Sequence, residues 1–374
     1  MQFRDLKRQY QALKPEIDAG IQAVIDSSAF ILGKPVSELE EKLAGYVRRR
    51  HCVACGNGTD ALQLALMIWG IGPGDAVFTS DFTYFASAGT SSILGATPIF
   101  VDINLATFNM DSDALEEQIK RVLDERKLKP KVIIPVDLFG QPADYDRILP
   151  IAEKYGLKVL EDGAQGFGGN IRGKMACSFG DLSTTSFFPA KPLGCYGDGG
   201  AVFTDDDEID ARLRSLRAQG KSLLDKYDNC EIGMNSRLDT LQAAILLSKF
   251  RAFVGHEIDD VNRVAGWYTE RLKGRFITPT VLPGFCSSWA QYTILLENRE
   301  ERDNIQARLK KKGIPSMVYY PRGLHQQEAY KWMGLRDDVY PNTIKATNRV
   351  LSLPMHPYLT EEEVDMVCDV LTGK

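Results

Sequence analysis

Between His51 and about residue 218 the sequence alternates short apolar, β-prone runs with segments whose apolar residues recur at helical spacing. A chain written that way has few folds open to it. Parallel strands need long crossover connections, and a helix in each crossover covers the faces of the sheet. The strand-like runs are 52–55, 76–80, 98–102, 132–137, 158–161, 182–187 and 200–203. The helical segments fall near 59–69, 84–94, 113–123, 144–155 and 206–218, the last with Thr204 or Asp205 as candidate N-cap. Helical periodicity also marks 12–27 and 37–49, parted by a Phe30-Ile31-Leu32-Gly33 turn, as packing helices ahead of the sheet. After a helix over Asn235–Phe250, residues 251–272 read as one long helix leading outwards. An α+β portion follows, strand-like at 290–297 and 314–319 and helical at 300–312, with a last helix from about 360. The expectation is an α/β protein with a large domain over 1–250 and a smaller C-terminal α+β domain over 251–374.

Charge narrows the partners. The formal net charge of -5 gives no basic footprint for nucleic acid, and Arg48-Arg49-Arg50 and Lys310-Lys311-Lys312 read as solvated helix ends. The N-terminus lacks an apolar signal core and no run is long enough to span a bilayer, so no membrane insertion is expected and a cytoplasmic location is. The 7 cysteines, an odd number, fit a reducing compartment rather than a disulfide framework. Cys52-Val-Ala-Cys55 has metal half-site spacing but lies in a strand-like run, where residues three apart face opposite ways. With the four histidines far apart in sequence, no metal site is expected.

The chemistry concentrates in Ser183–Ala201. Lys191 lies between Pro189 and Pro192, after Phe187-Phe188 and before Gly194, Gly197, Gly199 and Gly200. On spacing alone a lysine is a solvated surface charge. An amine held in apolar surroundings, however, has a lowered pKa and can condense with a carbonyl. Gly56-Asn57-Gly58-Thr59-Asp60 follows a strand and opens a helix, so free N–H groups converge where a phosphate fits, although a plain tight turn reads the same way. Lys158-Val-Leu-Glu-Asp162 delivers Asp162 to the strand edge at which open α/β sheets bind ligands, or supplies only a turn residue or cap. Beside a protonated ring nitrogen such a carboxylate keeps the proton on, which makes the ring an electron sink, as in pyridoxal phosphate.

Taken together, Phe3-Arg-Asp-Leu-Lys7, Phe30-Ile-Leu-Gly33, Gly58-Thr-Asp-Ala-Leu62, Phe82-Thr-Tyr-Phe-Ala86, Glu161-Asp-Gly-Ala-Gln165, Ser186 to Gly200, Gly233-Met-Asn-Ser-Arg-Leu-Asp239 and Leu351-Ser-Leu-Pro-Met-His-Pro357 resemble the DegT-type sugar aminotransferases, nearly end to end. The resemblance implies pyridoxal-phosphate fold type I, with a mixed, mostly parallel seven-stranded sheet in the large domain. It implies that Lys191 carries pyridoxal 5′-phosphate as a Schiff base and moves the substrate proton, with pyridoxamine 5′-phosphate as the alternate cofactor form. Asp162 would pair with the ring nitrogen, Gln165 would face the ring hydroxyl, and Tyr84 would stack on the ring. Gly58, Thr59 and Ser186 would hold the phosphate, joined by Asn235 from the neighbouring subunit, so that a homodimer with shared active sites follows. Arg237, a salt-bridge arginine by default, takes the family's position facing the substrate. Tyr319 and Tyr320 fall in the substrate region.

Certain positions depart from the family pattern. Gly163 and Gly166 stand where Ala and Ser are usual, and Val318-Tyr319-Tyr320-Pro321 replaces a His-Tyr-Pro run. The resemblance runs most closely to enzymes that aminate C3 of UDP-2-acetamido-2-deoxy-3-ketoglucuronate in O-antigen synthesis, with glutamate as donor. Transfer to a 4-keto or dTDP-linked sugar is the alternative, followed by a non-catalytic cofactor-binding regulator and by a sugar dehydratase, in which the lysine is replaced.

Overall fold

A computed structural model describes residues 1–222, 225 and 227–373. The strands are β1 (His51–Cys55), β2 (Asp75–Ser80), β3 (Thr97–Val101), β4 (Lys129–Ile134), β5 (Lys158–Asp162), β6 (Asn170–Ile171), β7 (Lys174–Met175), β8 (Leu182–Ser186), β9 (Gly200–Thr204), β10 (Phe285–Cys286), β11 (Tyr292–Leu295) and β12 (Val350–Leu353). The helices are α1 (Leu6–Ser27), α2 (Lys34–Val47), α3 (Gly58–Ile68), α4 (Ala86–Ile93), α5 (Ser112–Glu125), α6 (Tyr145–Tyr155), α7 (Asp207–Leu216), α8 (Thr240–Ala252), α9 (Ile258–Leu272), α10 (Arg299–Lys311), α11 (Pro341–Arg349) and α12 (Glu361–Thr372). Every strand and helix expected between His51 and residue 218 is present.

The central sheet has 7 strands in the order β1-β9-β8-β5-β4-β2-β3. Only β9 runs against the rest, paired antiparallel to both β1 and β8. The other pairings are parallel, so the fold is the mixed, mostly parallel α/β sheet expected. Its parallel strands therefore end on one edge. Burial on both faces explains their apolar composition: Cys52 and Ala54 of β1 pack on one side, Val53 and Cys55 on the other. The cysteine pair faces two ways, as strand geometry requires.

Helix ends follow local chemistry. Asp5 caps α1 through the Arg8 N–H (2.9 Å), and Asn57 caps α3 through the Asp60 N–H (2.8 Å). Thr360 and Glu363 form a reciprocal capping box on α12. The cap of α7 is Asp206, beyond the two candidates, because its carboxylate alone reaches both the Glu208 and Ile209 N–H groups.

Further expectations need correction. The helix over Asn235–Phe250 begins only at Thr240, since Asn235 bridges Ala218 and Ser236 Oγ turns to the Gly56 N–H (2.9 Å). Residues 251–272 continue it through a π-helical turn at Phe253–Glu257 rather than starting afresh. The strand-like run 314–319 contributes only one bridge, Met317 to Ser352, and the strand paired with β11 is β12. Arg49 is no solvated helix end either: it pairs with Asp205 (2.6 Å) and bonds the Gly180 carbonyl.

C-terminal to α8 a separate apolar cluster forms around Val264, Tyr268, Tyr292, Leu309, Leu351 and Val364. The chain's start reaches it, as Met1 packs there and the Phe3 carbonyl accepts from the Met355 N–H (3.0 Å). No helix among the described residues is long and apolar enough to cross a membrane.

Candidate active site

The C-terminal edge of the parallel strands gathers the residues singled out from sequence. Asp162 ends β5, Ser186 ends β8, the Gly56-Asn57 turn leaves β1, and Asp81–Phe85 leaves β2. Ligands bind at this edge of open α/β sheets because helix N-termini and strand-end side chains converge there. Gly58 opens α3, and a Cβ on it would lie 2.7 Å from Ser186 Cβ, too close for any side chain. The glycine thus lets β8 end against the first turn of α3. Gly58, Thr59 and Ser186 are brought together beside N–H groups that the helix itself leaves unpaired, a place built for an anion.

Asp162 is 4 % exposed and accepts from Ser87 Oγ (2.8 Å) and the Ala164 N–H (3.2 Å). Burial raises its pKa above the ordinary aspartate value, opposed by those two hydrogen bonds and by the Lys191 charge. Ser87 lies in α4, 1 % exposed. A serine one place beyond Phe82–Ala86 gave no local signal of this contact.

Lys191 sits in a turn after β8, its N–H donating to the Phe188 carbonyl (2.9 Å). The turn is closed by the Cys195 N–H on the Phe187 carbonyl (2.8 Å). Desolvation lowers the Lys191 pKa to about 8, against the pull of Asp162 and with the help of the Arg4 charge. An amine so placed is substantially neutral near pH 8, which nucleophilic attack on a carbonyl requires. Two cations to which the sequence assigned no role hold this turn. Arg4 donates to the Pro192 carbonyl (3.1 Å), and buried Lys249 bonds the Gly194 carbonyl.

Gln165 is buried: its Oε1 accepts from the Phe139 N–H (2.8 Å) and its Nε2 donates to Tyr320 Oη (3.2 Å). The Tyr320 ring meets Phe82 edge-on at 5.8 Å, and burial raises the pKa of its hydroxyl. Tyr319 packs against Tyr320 and, edge-on, against Phe3. Asp162, Gln165, Tyr319 and Tyr320 are therefore joined to the site by contact or adjacency. Tyr84 stands on the same loop as Phe82 and is 59 % exposed, free to meet a ligand. Asn235 is exposed and Arg237 half-buried. No hydrogen bond among the described residues joins either to Lys191, Asp162 or Ser186.

The loop that carries Tyr84 is clamped from the C-terminal portion. His325 Nδ1 lies 2.6 Å from Asp81 Oδ2 and its Nε2 2.9 Å from Asp337 Oδ1, with the Tyr340 ring stacked on the imidazole.

Pyridoxal 5′-phosphate fits this donor set. Its phosphate suits the α3 end cradled by Gly58 and Ser186, its ring nitrogen suits the buried Asp162 carboxylate, and its aldehyde suits a desolvated amine. A reactive amine and a buried carboxylate beside an anion-binding helix end, on a mixed and mostly parallel sheet, place the molecule among the pyridoxal-phosphate enzymes of fold type I. Residues 11–372 match the DegT/DnrJ/EryC1/StrS aminotransferase family, and the chain belongs to it.

Its relatives include the Pseudomonas aeruginosa UDP-2-acetamido-2-deoxy-3-oxo-D-glucuronate aminotransferase, 46 % identical over 374 residues that cover 100 % of both chains. The Acidithiobacillus ferrooxidans UDP-N-acetyl-3-dehydro-α-D-glucosamine 3-aminotransferase is 40 % identical over 98 % of this chain and 96 % of its own. A crystal structure of a Brucella abortus aminotransferase of the family superposes with a TM-score of 0.96 at 46 % identity, covering 100 % of this chain and 99 % of that one. The protein is a pyridoxal-phosphate-dependent aminotransferase.

Proposed function

We propose that the protein moves the amino group of glutamate to C3 of a UDP-linked 3-keto sugar, the 3-keto acid derived from UDP-N-acetylglucosamine, in the synthesis of an O-antigen amino sugar. Two relatives named for UDP-linked 3-keto sugars, one a uronate, support this choice of acceptor. The observation that carries the reaction type is the Lys191 amine, lowered to about pKa 8 beside the buried Asp162 carboxylate.

When bound, the cofactor supplies an aldehyde for imine exchange and a ring that accepts electrons. Lys191 holds the cofactor and, once displaced by the donor's amine, takes the proton from the substrate carbon at Nζ and returns it, serving as general base and then acid. Asp162, fixed by Ser87, would set its carboxylate against the ring nitrogen and hold the proton there. Gly58, Thr59 and Ser186 would hold the phosphate, Gln165 would lie on the side of the ring hydroxyl, and Tyr84 would cover the ring. Tyr319, Tyr320 and Arg237 belong to the sugar side.

We read residues 1–250 as the cofactor-binding unit and 251–374 as the smaller one, Lys374 lying outside the described residues. The working form is a homodimer in which Asn235 reaches the partner's phosphate. Support comes from its exposure and from the apolar Phe30, Ile31 and Leu32, all more than 40 % exposed, which meet the same segment through the Ile31–Asp239 bridge. The 7 free cysteines accord with a cytoplasmic setting.

Reduction with borohydride tests the lysine. Wild-type protein should be yellow with pyridoxal phosphate and trap it covalently on Lys191, while Lys191→Ala should lose both the trapping and the turnover. A colourless wild type indifferent to added cofactor would remove the reading, and full colour without turnover would favour the regulator.

A further inference from the structure

Arg4 belongs to none of the roles above, yet it is tied to the turn that carries Lys191. It lies in the bend ahead of α1 and is half-buried. One guanidinium nitrogen donates to the carbonyl of Pro192, the residue after Lys191, at 3.1 Å. No carboxylate among the described residues pairs with it. Its remaining N–H groups have no protein partner, and none belongs to the sealed, unpaired polar atoms, so solvent reaches them. A guanidinium presents five donors in a planar fork that matches a carboxylate. This one uses a single donor to fix its position.

Two further cations, Lys191 and Lys249, stand close enough to feel its charge. Arg4 acts electrostatically on Lys191, on buried Lys249 and on His356. Burial lowers the Arg4 pKa to about 10, only partly offset by Glu257, whose own oxygen is occupied by Gln9 (2.9 Å) and Tyr358 (2.7 Å). His356 is 2 % exposed and its Nδ1 has no partner. Phe3, the preceding residue, packs on Tyr319 of the sugar side. A cation with free donors, a partnerless polar neighbour and no carboxylate in ion-pair contact leaves room for an anion that the chain itself does not supply.

We propose that Arg4 receives a carboxylate of the bound substrate, that of the amino-acid donor or that at C6 of the sugar acid, while the Pro192 carbonyl holds the guanidinium beside Lys191. The inference rests on the reaction proposed above, in which both half-reactions bring a carboxylate to the site.

Binding to the cofactor-loaded enzyme, measured by calorimetry, tests it without turnover, using UDP-glucuronate against UDP-glucose and glutarate as the donor-side probe. Arg4→Met should weaken UDP-glucuronate or glutarate about tenfold or more, as loss of a charged hydrogen-bonded pair does, and leave UDP-glucose within about twofold. Arg4→Lys should recover part of the loss. An effect on glutarate alone assigns the donor, and one on UDP-glucuronate alone assigns the sugar acid. In turnover the same variant should raise KM for that substrate by more than it lowers kcat. Equal weakening of UDP-glucose, or a fall in kcat on every substrate at unchanged KM, would overturn the proposal and leave Arg4 as an anchor of the Lys191 turn. Failure of the wild type to aminate any UDP-linked keto sugar would instead refute the acceptor assignment, while the calorimetric arms still judge Arg4.

Discussion

Replacing Ser87 by alanine removes one hydroxyl from the site and should move the acid limb of the pH–rate profile. Ser87 Oγ donates to Asp162 Oδ2 at 2.8 Å, with both side chains buried. Burial is the largest influence on Asp162 and raises its pKa; the Ser87 hydrogen bond is the largest influence pulling it back. A hydrogen bond to a charged group contributes about 1.5–3 kcal/mol, so its loss in Ser87→Ala should raise the Asp162 pKa further and carry the acid limb to higher pH. The sign follows from the ionised form being the active one: activity falls as pH drops through the folded-state pKa, and that pKa is higher in the variant. The assay is kcat/KM against pH for both proteins, with near-ultraviolet circular dichroism to show an intact fold. Superimposable acid limbs would refute the claim that Asp162 acts as a carboxylate tuned by Ser87.

Further outcomes follow from the same geometry. Asp162→Asn should lose about a hundredfold or more in kcat, as expected when a charge stabilising the transition state is removed from a dry site, and near-normal turnover would contradict it. Gly58→Ala places a methyl 2.7 Å from Ser186 Cβ, so affinity for pyridoxal phosphate, read by fluorescence titration, should fall about tenfold with the fold retained; unaltered affinity would detach Gly58 from the phosphate. For His325, desolvation lowers the pKa but Asp81 and Asp337 prevail and it is raised, whereas burial outweighs the imidazole at Asp81, whose own pKa is also raised. A histidine pKa raised in the fold adds stability that is fully present below about pH 6.5 and lost as pH climbs through the folded value. Over that window the melting temperature of the wild type should fall relative to that of His325→Gln, and parallel curves would contradict it.

The alternation of runs made the sheet's strands legible to within a few residues, because burial on both faces forces apolar composition and each crossover forces a helix. Strand order was not legible, since nothing local in Gly200–Thr204 states that β9 inserts antiparallel between β1 and β8. Tertiary pairing also overrode helical periodicity at Asn235 and Ser236, whose partners Ala218 and Gly56 lie far back in the chain. In the C-terminal portion Pro315 cannot donate to a ladder, which leaves β12 as the strand paired with β11. Lys191, Asp162 and Gly58 were readable because the chemistry of each is tied to its strand or helix end. The roles of Ser87 and Arg4 were not: Ser87 stands just past Phe82–Ala86 and Arg4 inside Phe3–Lys7, but their contacts close over 75 and 188 residues of sequence.

The central claim is the transfer itself. Cofactor-loaded protein should be incubated with glutamate and, in parallel, UDP- and dTDP-linked 3-keto and 4-keto sugars, with release of 2-oxoglutarate followed in each. The structure and its relatives predict 2-oxoglutarate with the UDP-linked 3-keto acid ahead of every other acceptor. Turnover confined to a dTDP-linked or 4-keto sugar would contradict the assignment.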